Sequence, residues 1–318
     1  MVNDSPFFIV GSGRCGSTLL RLMLSGHSRI HIPPETWFIA DLARDLPLTG
    51  RLTPAQVAHA VAIMTAHYRW PDMQIPAEEF QRWAIALRTP TLVGIINLMY
   101  DYQLRLHGKR RFGDKTPPYI HSIPEILTLY PDAKFIHLIR DGRDVAISYV
   151  EMESMRCYDP DFYWTLAMRR RRTYLNSSYA GQILEVKYED LVTSPEPTLR
   201  SVCGFLEEEF EPGMLNWQPL TDLVPERERA IHRRLAEPLR QEAIGVWQRK
   251  LSRWECFAIE SCLQRDLRRL GYPLRFSGTA WRPFLVASGV LISALAPILT
   301  RAIPYLQRRN YLPRTLHV

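Results

Sequence analysis

The chain has 318 residues, 46% of them hydrophobic and 23% charged, a balance that excludes a largely disordered protein and leaves enough length for a sizeable core. Its formal charge of +7 suits an anionic ligand or an anionic membrane surface and is too mild to call for nucleic acid. Five scattered cysteines (Cys15, Cys157, Cys203, Cys256, Cys262) include no C-x-x-C pair, which argues against a zinc site or a disulfide framework and favours a reducing compartment.

The apolar run Phe7-Phe8-Ile9-Val10 predicts a buried strand. Gly11-Ser12-Gly13-Arg14-Cys15-Gly16-Ser17-Thr18 follows as a glycine-rich turn, and Leu19, Leu20, Leu22 and Met23 have the spacing of a helix. Strand, glycine loop and helix N-terminus make an anion cradle, because free backbone N–H groups and the positive end of the helix dipole converge on one phosphate-sized group. From Gly11 to Thr18 the frame is that of G-x-x-x-x-G-K-[ST], with Ser17 where the lysine belongs. That lysine reaches the outer phosphates of a triphosphate, so triphosphate cleavage is not expected, whereas a smaller phosphate-like group fits. Arg14 supplies a planar, permanently charged fork from inside the loop. The plainer reading is a turn between a strand and a helix in any α/β protein.

Ile30-His31-Ile32 predicts a short second strand closed by Pro33-Pro34, and a helix is expected to open at Glu35-Thr36-Trp37-Phe38. Residues 53–107 read as a helical insert that starts at Thr53-Pro54 and is punctuated by Pro71, Pro76 and Pro90. Arg110 to Pro118 reads as a basic segment entering a turn, followed by a helix to about Tyr130. Lys134-Phe135-Ile136-His137-Leu138-Ile139 predicts a strand, Arg140-Asp141-Gly142-Arg143-Asp144 a turn into a helix, and Ile183-Leu184-Glu185-Val186 a further strand. This alternation predicts an α/β fold with a central parallel sheet flanked by helices, whose ligands sit beyond the carboxyl ends of the strands. Trp254 to Leu270 forms an amphipathic helix that stops at Gly271-Tyr272-Pro273, so one domain is expected over residues 1–277.

The loop at Gly11, the stretch Ile139-Arg140-Asp141-Gly142-Arg143-Asp144-Val145-Ala146-Ile147-Ser148-Tyr149 and the segment Lys187-Tyr188-Glu189-Asp190-Leu191 together resemble the sulfotransferases that use 3′-phosphoadenosine 5′-phosphosulfate (PAPS). The resemblance covers roughly residues 6–272 and implies a P-loop-like sulfotransferase fold. It implies that Gly11, Ser12, Gly13, Arg14, Cys15, Gly16, Ser17 and Thr18 hold the 5′-phosphosulfate, that Arg140 and Ser148 hold the 3′-phosphate, and that Tyr188 touches the nucleotide. Gly245-Val246-Trp247 looks like a G-D-W element of the family, which points to Arg240 as another 3′-phosphate ligand. In the protein-tyrosine branch a glutamate followed by threonine lies twenty-one residues after the loop arginine and acts as base; Arg14 and Glu35-Thr36 reproduce that spacing. The cytosolic branch instead places a histidine two residues after a lysine, and here Lys115-Thr116 is followed by Pro117.

The resemblance thus implies Glu35 as general base, preferably with a pKa raised by burial, and Lys115 balancing charge as the bond to sulfur breaks. A helix N-terminal glutamate and a solvated lysine are the bland readings of the two. His232, in the charged stretch near Pro225, is a candidate to face the acceptor. PAPS is the implied cofactor, PAP its product, no metal is implied, and the partner is an acceptor hydroxyl on a glycan, lipid headgroup, polyketide or peptide. The competing readings are a small-molecule kinase on the related fold and a non-catalytic nucleotide-binding protein. The apolar strand begins near Pro6 and leaves no room for a signal peptide, so a cytoplasmic enzyme of bacterial type is expected. In the tail, 278–318, residues 283–300 carry no charge and lie between Arg282 and Arg301, with Arg308, Arg309 and Arg314 beyond. A hydrophobic helix at the inner face of a membrane, in contact through 283–314, is expected there; the alternative is a helix packed on the enzyme itself or in a homodimer.

Overall fold

In the computed structural model of the protein, residues 5–151, 162–229 and 231–277 are described. They divide into two compact units. The first contains the chain up to residue 11, 16–138 and 174–239; the second contains 12–15, 139–173 and the chain from 240 onward.

The first unit is built on the predicted parallel sheet. Strands β1 (Phe7–Gly11), β2 (Ile30–His31), β3 (Arg111–Lys115), β4 (Lys134–Ile139) and β5 (Ile183–Lys187) lie in the order β2-β3-β1-β4-β5. Every residue of β1 is buried, as a strand covered on both faces requires, and β1 runs parallel to β3 and β4. The register sets Ile9 opposite Lys115 and Gly11 opposite Leu138, so the glycine loop and Lys115 leave the sheet at the same end. Helix α1 (Ser17–Ser25) starts at Gly16 and is buried along its whole length.

Strand β3 is where a polar sequence hides a core strand. Arg111 opens it with its guanidinium buried, satisfied by the carbonyls of Ser5 (2.9 Å) and Leu206 (2.5 Å) and by Glu208 (3.0 Å). Gly113 is needed because the ring of Phe7 occupies the space that a Cβ would fill. Helix α2 (Phe38–Asp45) begins three residues later than the expected opening at Glu35, because Trp37 takes a positive, non-helical φ of 61° and the Thr36 hydroxyl is bonded to Asp114. The residues between 53 and 107 form α3 (Pro54–Ala66), α4 (Ala77–Ile85) and α5 (Leu92–His107). A capping box between Thr53 and Gln56 starts α3, and Gly108, at φ 62°, ends α5. Helices α6 (Ile123–Leu129), α9 (Tyr188–Thr193), α10 (Pro195–Leu206) and the short α11 (Glu226–Arg229) complete the unit.

The second unit packs α7 (Gly142–Glu151), α8 (Phe162–Tyr174), α12 (Trp247–Lys250) and α13 (Arg253–Arg269). Its centre is ionic: Arg143, with no exposed side-chain surface, bonds Asp141 (2.7 Å) and Glu260 (2.5 Å) and lies 3.6 Å from the ring centroid of Trp247. Glu260 also accepts the backbone N–H groups of Arg275 and Phe276, which pins the end of the described chain to α13. The hydrophobic and basic tail lies outside the described residues. Among the described residues, no helix is long and apolar enough to cross a membrane.

Candidate active site

The first cluster belongs to the sheet-bearing unit and grows from β3. Lys115 ends that strand, 1% exposed, and its Nζ donates to Glu35 Oε1 and, at 3.4 Å, to Thr18 Oγ1 on the first turn of α1. The other Glu35 oxygen, Oε2, accepts from Trp37 Nε1 (2.7 Å) and Arg69 Nη2 (3.2 Å). Burial pushes the Glu35 carboxyl up, but Lys115, then Arg69 and the Trp37 N–H, outweigh it and hold the group down at about 2. The preference for a raised value is therefore not met in this state; Glu35 is a fully ionised carboxylate in a cationic grip. His232 Nε2 lies 3.4 Å from Thr18 Oγ1, so the histidine singled out for the acceptor side stands beside the same hydroxyl as Lys115.

What holds Glu35 in place was not legible in its own neighbours. Thr36 donates from Oγ1 to Asp114 Oδ2 (2.8 Å) and meets Tyr119 Oη at 2.6 Å, while its N–H donates to Thr116 Oγ1 (3.1 Å). Tyr100 donates to the same Asp114 oxygen (2.7 Å), and Ile39 N–H donates to Tyr119 Oη (3.1 Å). A buried aspartate beside the lysine thus anchors the residue after the glutamate through a chain of hydroxyls, and burial pushes its own carboxyl up. Arg69 and Glu228 are further members missed from the sequence. Arg69 bridges from Glu35 to Glu228 on α11, and Asp72 pairs with Arg227 on the same helix. Only their pairing in space, thirty-four and more residues from Glu35, reveals them.

The glycine loop is a tight turn that ends at the N-terminus of α1. Gly13, Arg14 and Gly16 take positive φ angles of 73°, 51° and 90°, which turn the chain sharply between β1 and α1. Gly16 is the N-cap of α1, so no side chain closes the first turn, and capping is not the use of Ser17 or Thr18. A side chain at Gly16 would run into the ring of Tyr188, the predicted nucleotide contact, and one at Gly13 into the Tyr149 hydroxyl. Tyr149 donates to Ser12 O (2.7 Å), which fixes the loop, and Cys15 is fully buried.

The second unit brings together three more predicted residues. Arg14 Nε donates to Ser148 Oγ (3.1 Å), and Arg140 donates to the carbonyls of Arg14 (3.2 Å) and Ala243 (2.9 Å). Arg240 is exposed and stands immediately before the short turn Gln241–Ala243 that Arg140 holds. Asp144, absent from the predicted set, accepts from the N–H groups of Gly245 and Trp247 (both 2.8 Å) and so docks the Gly245-Val246-Trp247 element on α7.

Comparison with known proteins bears on this arrangement. The sulfotransferase family profile matches residues 6–212. Protein-tyrosine sulfotransferase A of Caenorhabditis elegans is 25% identical over 281 residues, which cover 84% of this chain and 67% of that protein. An uncharacterized protein of Aquifex aeolicus is 24% identical over 222 residues, 67% of this chain, and the match spans only 26% of that longer protein. Among solved structures, the sulfotransferase domain of the Synechococcus PCC 7002 olefin synthase superposes with a TM-score of 0.54 at 26% identity, covering 78% of this chain and 88% of that one.

Proposed function

Because the chain belongs to the sulfotransferase family, we propose that this enzyme moves a sulfuryl group from PAPS to an acceptor hydroxyl by in-line displacement, with Glu35 as the general base. The observation that carries this reading is the buried Glu35–Lys115 pair beside Thr18 at the start of α1. PAPS, when bound, supplies the activated sulfuryl group. The glycine loop with Arg14, Ser17 and Thr18 would hold its 5′ end, and Arg140 with Ser148 its 3′-phosphate; the glycine turn at the start of α1 and the ring of Tyr188, which lies so close to Gly16 that no Cβ would fit, support that reading.

Little covalent chemistry is asked of the protein in such a transfer, so positioning and charge stabilisation dominate. Lys115 Nζ provides the positive charge for the oxygen that the sulfuryl group leaves. Glu35 takes the acceptor's proton on a carboxylate oxygen. Lys115 and Arg69 suppress its basicity. An anionic ligand that shared the Lys115 charge would relieve that suppression and make the carboxylate a better base. Arg69, clamped on Glu228, keeps the other oxygen in place and acts as a positioning residue.

Calorimetry tests the cofactor assignment. PAP should bind in the nanomolar to micromolar range without Mg²⁺, and Arg140→Ala should weaken it about ten- to a hundredfold, the worth of a charge-assisted contact. Mg²⁺-dependent binding of ATP with none of PAP would overturn the assignment. Unchanged PAP affinity in Arg140→Ala would remove that residue from the site. Labelling of cell extracts with radioactive PAPS identifies the acceptor.

A further inference from the structure

Trp37 sits at the tip of a tight turn. The N–H of Phe38 donates to the carbonyl of Thr36 at 2.7 Å, and Trp37 between them takes φ 61° and ψ −34°. That is close to the γ-turn of positive φ, a rare and strained form, and a bulky residue adopts it only where its surroundings impose it. Here they do so from both sides. Before it, the Thr36 N–H is bonded to Thr116 and the Thr36 hydroxyl to Asp114. After it, Phe38 and Ile39 are fully buried, and the Ile39 N–H is bonded to Tyr119. Trp37 itself is only half-buried, so core packing gives little reason for the strain.

What the turn achieves is a contact that a helix does not allow. Residues two apart on a helix do not face each other, so a helix opening at Glu35 would carry the indole away from the carboxylate. With the turn in place, Trp37 Nε1 donates to Glu35 Oε2 at 2.7 Å, and Arg69 Nη2 donates to the same oxygen at 3.2 Å. A carboxylate oxygen has about two acceptor sites, so these two donors fill Oε2. Among the described residues, Oε1 accepts from Lys115 alone and keeps one site open. The two oxygens of Glu35 are therefore not equivalent, and a half-buried tryptophan in a strained turn helps to make them so different.

We infer that Trp37 is a positioning residue for the sulfuryl transfer: the turn aims its indole N–H at Oε2 and, with Arg69, locks that oxygen, so that Oε1 takes the acceptor's proton. The inference rests on the reading of Glu35 as the base. In the step itself the acceptor O–H bond breaks and its proton bonds to Oε1. The hydroxyl oxygen keeps the electron pair and bonds sulfur, while the pair of the breaking bond stays on the PAP phosphate oxygen. A carboxylate free to turn about its last bond would present the open site to the acceptor only part of the time, and the lock removes that loss.

Trp37→Phe keeps a ring and removes the donor. Initial rates of radiolabel transfer from PAPS into cell extract should fall about tenfold at saturating PAPS, while the KM for PAPS and the affinity for PAP stay within about twofold. In a Glu35→Gln background the same substitution should change the rate by less than about twofold, because the base that it positions is gone. Proton–nitrogen NMR of the indole groups, eight in the chain, reads the bond without any transfer. The signal lost in Trp37→Phe should move upfield in Glu35→Gln, where the acceptor is no longer charged. A wild-type rate in Trp37→Phe beside an impaired Glu35→Gln overturns the inference and leaves Glu35 as base. A wild-type rate in Glu35→Gln, or no transfer by the wild-type chain, removes the base and the role of Trp37 with it. An equal loss in both backgrounds also overturns the inference, since Trp37 then acts on cofactor or acceptor directly. So do a fall in PAP affinity that matches the fall in rate, and an indole signal that ignores the loss of the Glu35 charge.

Discussion

Glu35→Gln should lower turnover by about a hundredfold or more, the scale of a positioned general base, while PAP affinity stays within a few-fold of wild type. The substitution preserves size, so the loss reports charge and proton affinity. It also has a cost outside catalysis. The amide can offer an oxygen to Trp37 and Arg69 or to Lys115, but its NH₂ must then face a cation on the other side. The variant should therefore melt lower than wild type at neutral pH. The Glu35 carboxyl is held at about 2 in the folded chain against an ordinary 4.5, so its ion pairs stabilise the fold above the ordinary value. That contribution is lost as pH falls toward about 2. Melting curves of the two proteins should converge as pH is lowered from about 6 toward about 3. Normal turnover in Glu35→Gln would move the base elsewhere, with His232 beside Thr18 the next residue to replace.

Glu260→Ala should be the most damaging single change in the second unit, with no direct effect on any reacting group. Glu260 is fully buried, and it is the partner of the fully buried Arg143 and of two backbone N–H groups. Removing it leaves part of a guanidinium and two amides without acceptors in a dry environment. Breaking a buried pair in this way costs about 3–5 kcal/mol. Denaturant unfolding of the variant should show a loss of that order. A loss below about 1 kcal/mol would mean that Asp141 and the Trp247 ring suffice for Arg143.

The sheet and the anion loop were legible because their signals are local. The run from Phe7 to Val10 is a strand by composition, and three glycines in six residues can only serve a tight turn. The start of α3 was legible for the same reason, since Thr53, Pro54 and Gln56 form its cap. Strand β3 was not, because its composition is set by partners far along the chain: Arg111 is buried only because Ser5, Leu206 and Glu208 receive it. The start of α2 was misplaced for a related reason. Thr36 is a good residue for opening a helix, but its hydroxyl is spent on Asp114 and Tyr119. Glu35 and Lys115 both came from the family resemblance, Glu35 through its spacing from Arg14. Their pairing, and the grip of Arg69 and Glu228, follow from tertiary structure that no single window of sequence carries.

The hydroxyl chain from Tyr100 through Asp114 and Thr36 to Tyr119 has a consequence for how substitutions in this protein should be judged. By volume and hydropathy, Tyr119→Phe is among the mildest changes available, and the ring would still pack against Phe8. Yet the lost oxygen is the acceptor for the Ile39 amide and a partner of Thr36, the residue next to Glu35. A score based on size and greasiness would pass the change as silent. The aromatic ring belongs to the core and the oxygen atom to the hydroxyl chain beside Glu35, so one side chain meets two separate structural demands. Tolerance at such a position is set atom by atom, and the same holds for Tyr100.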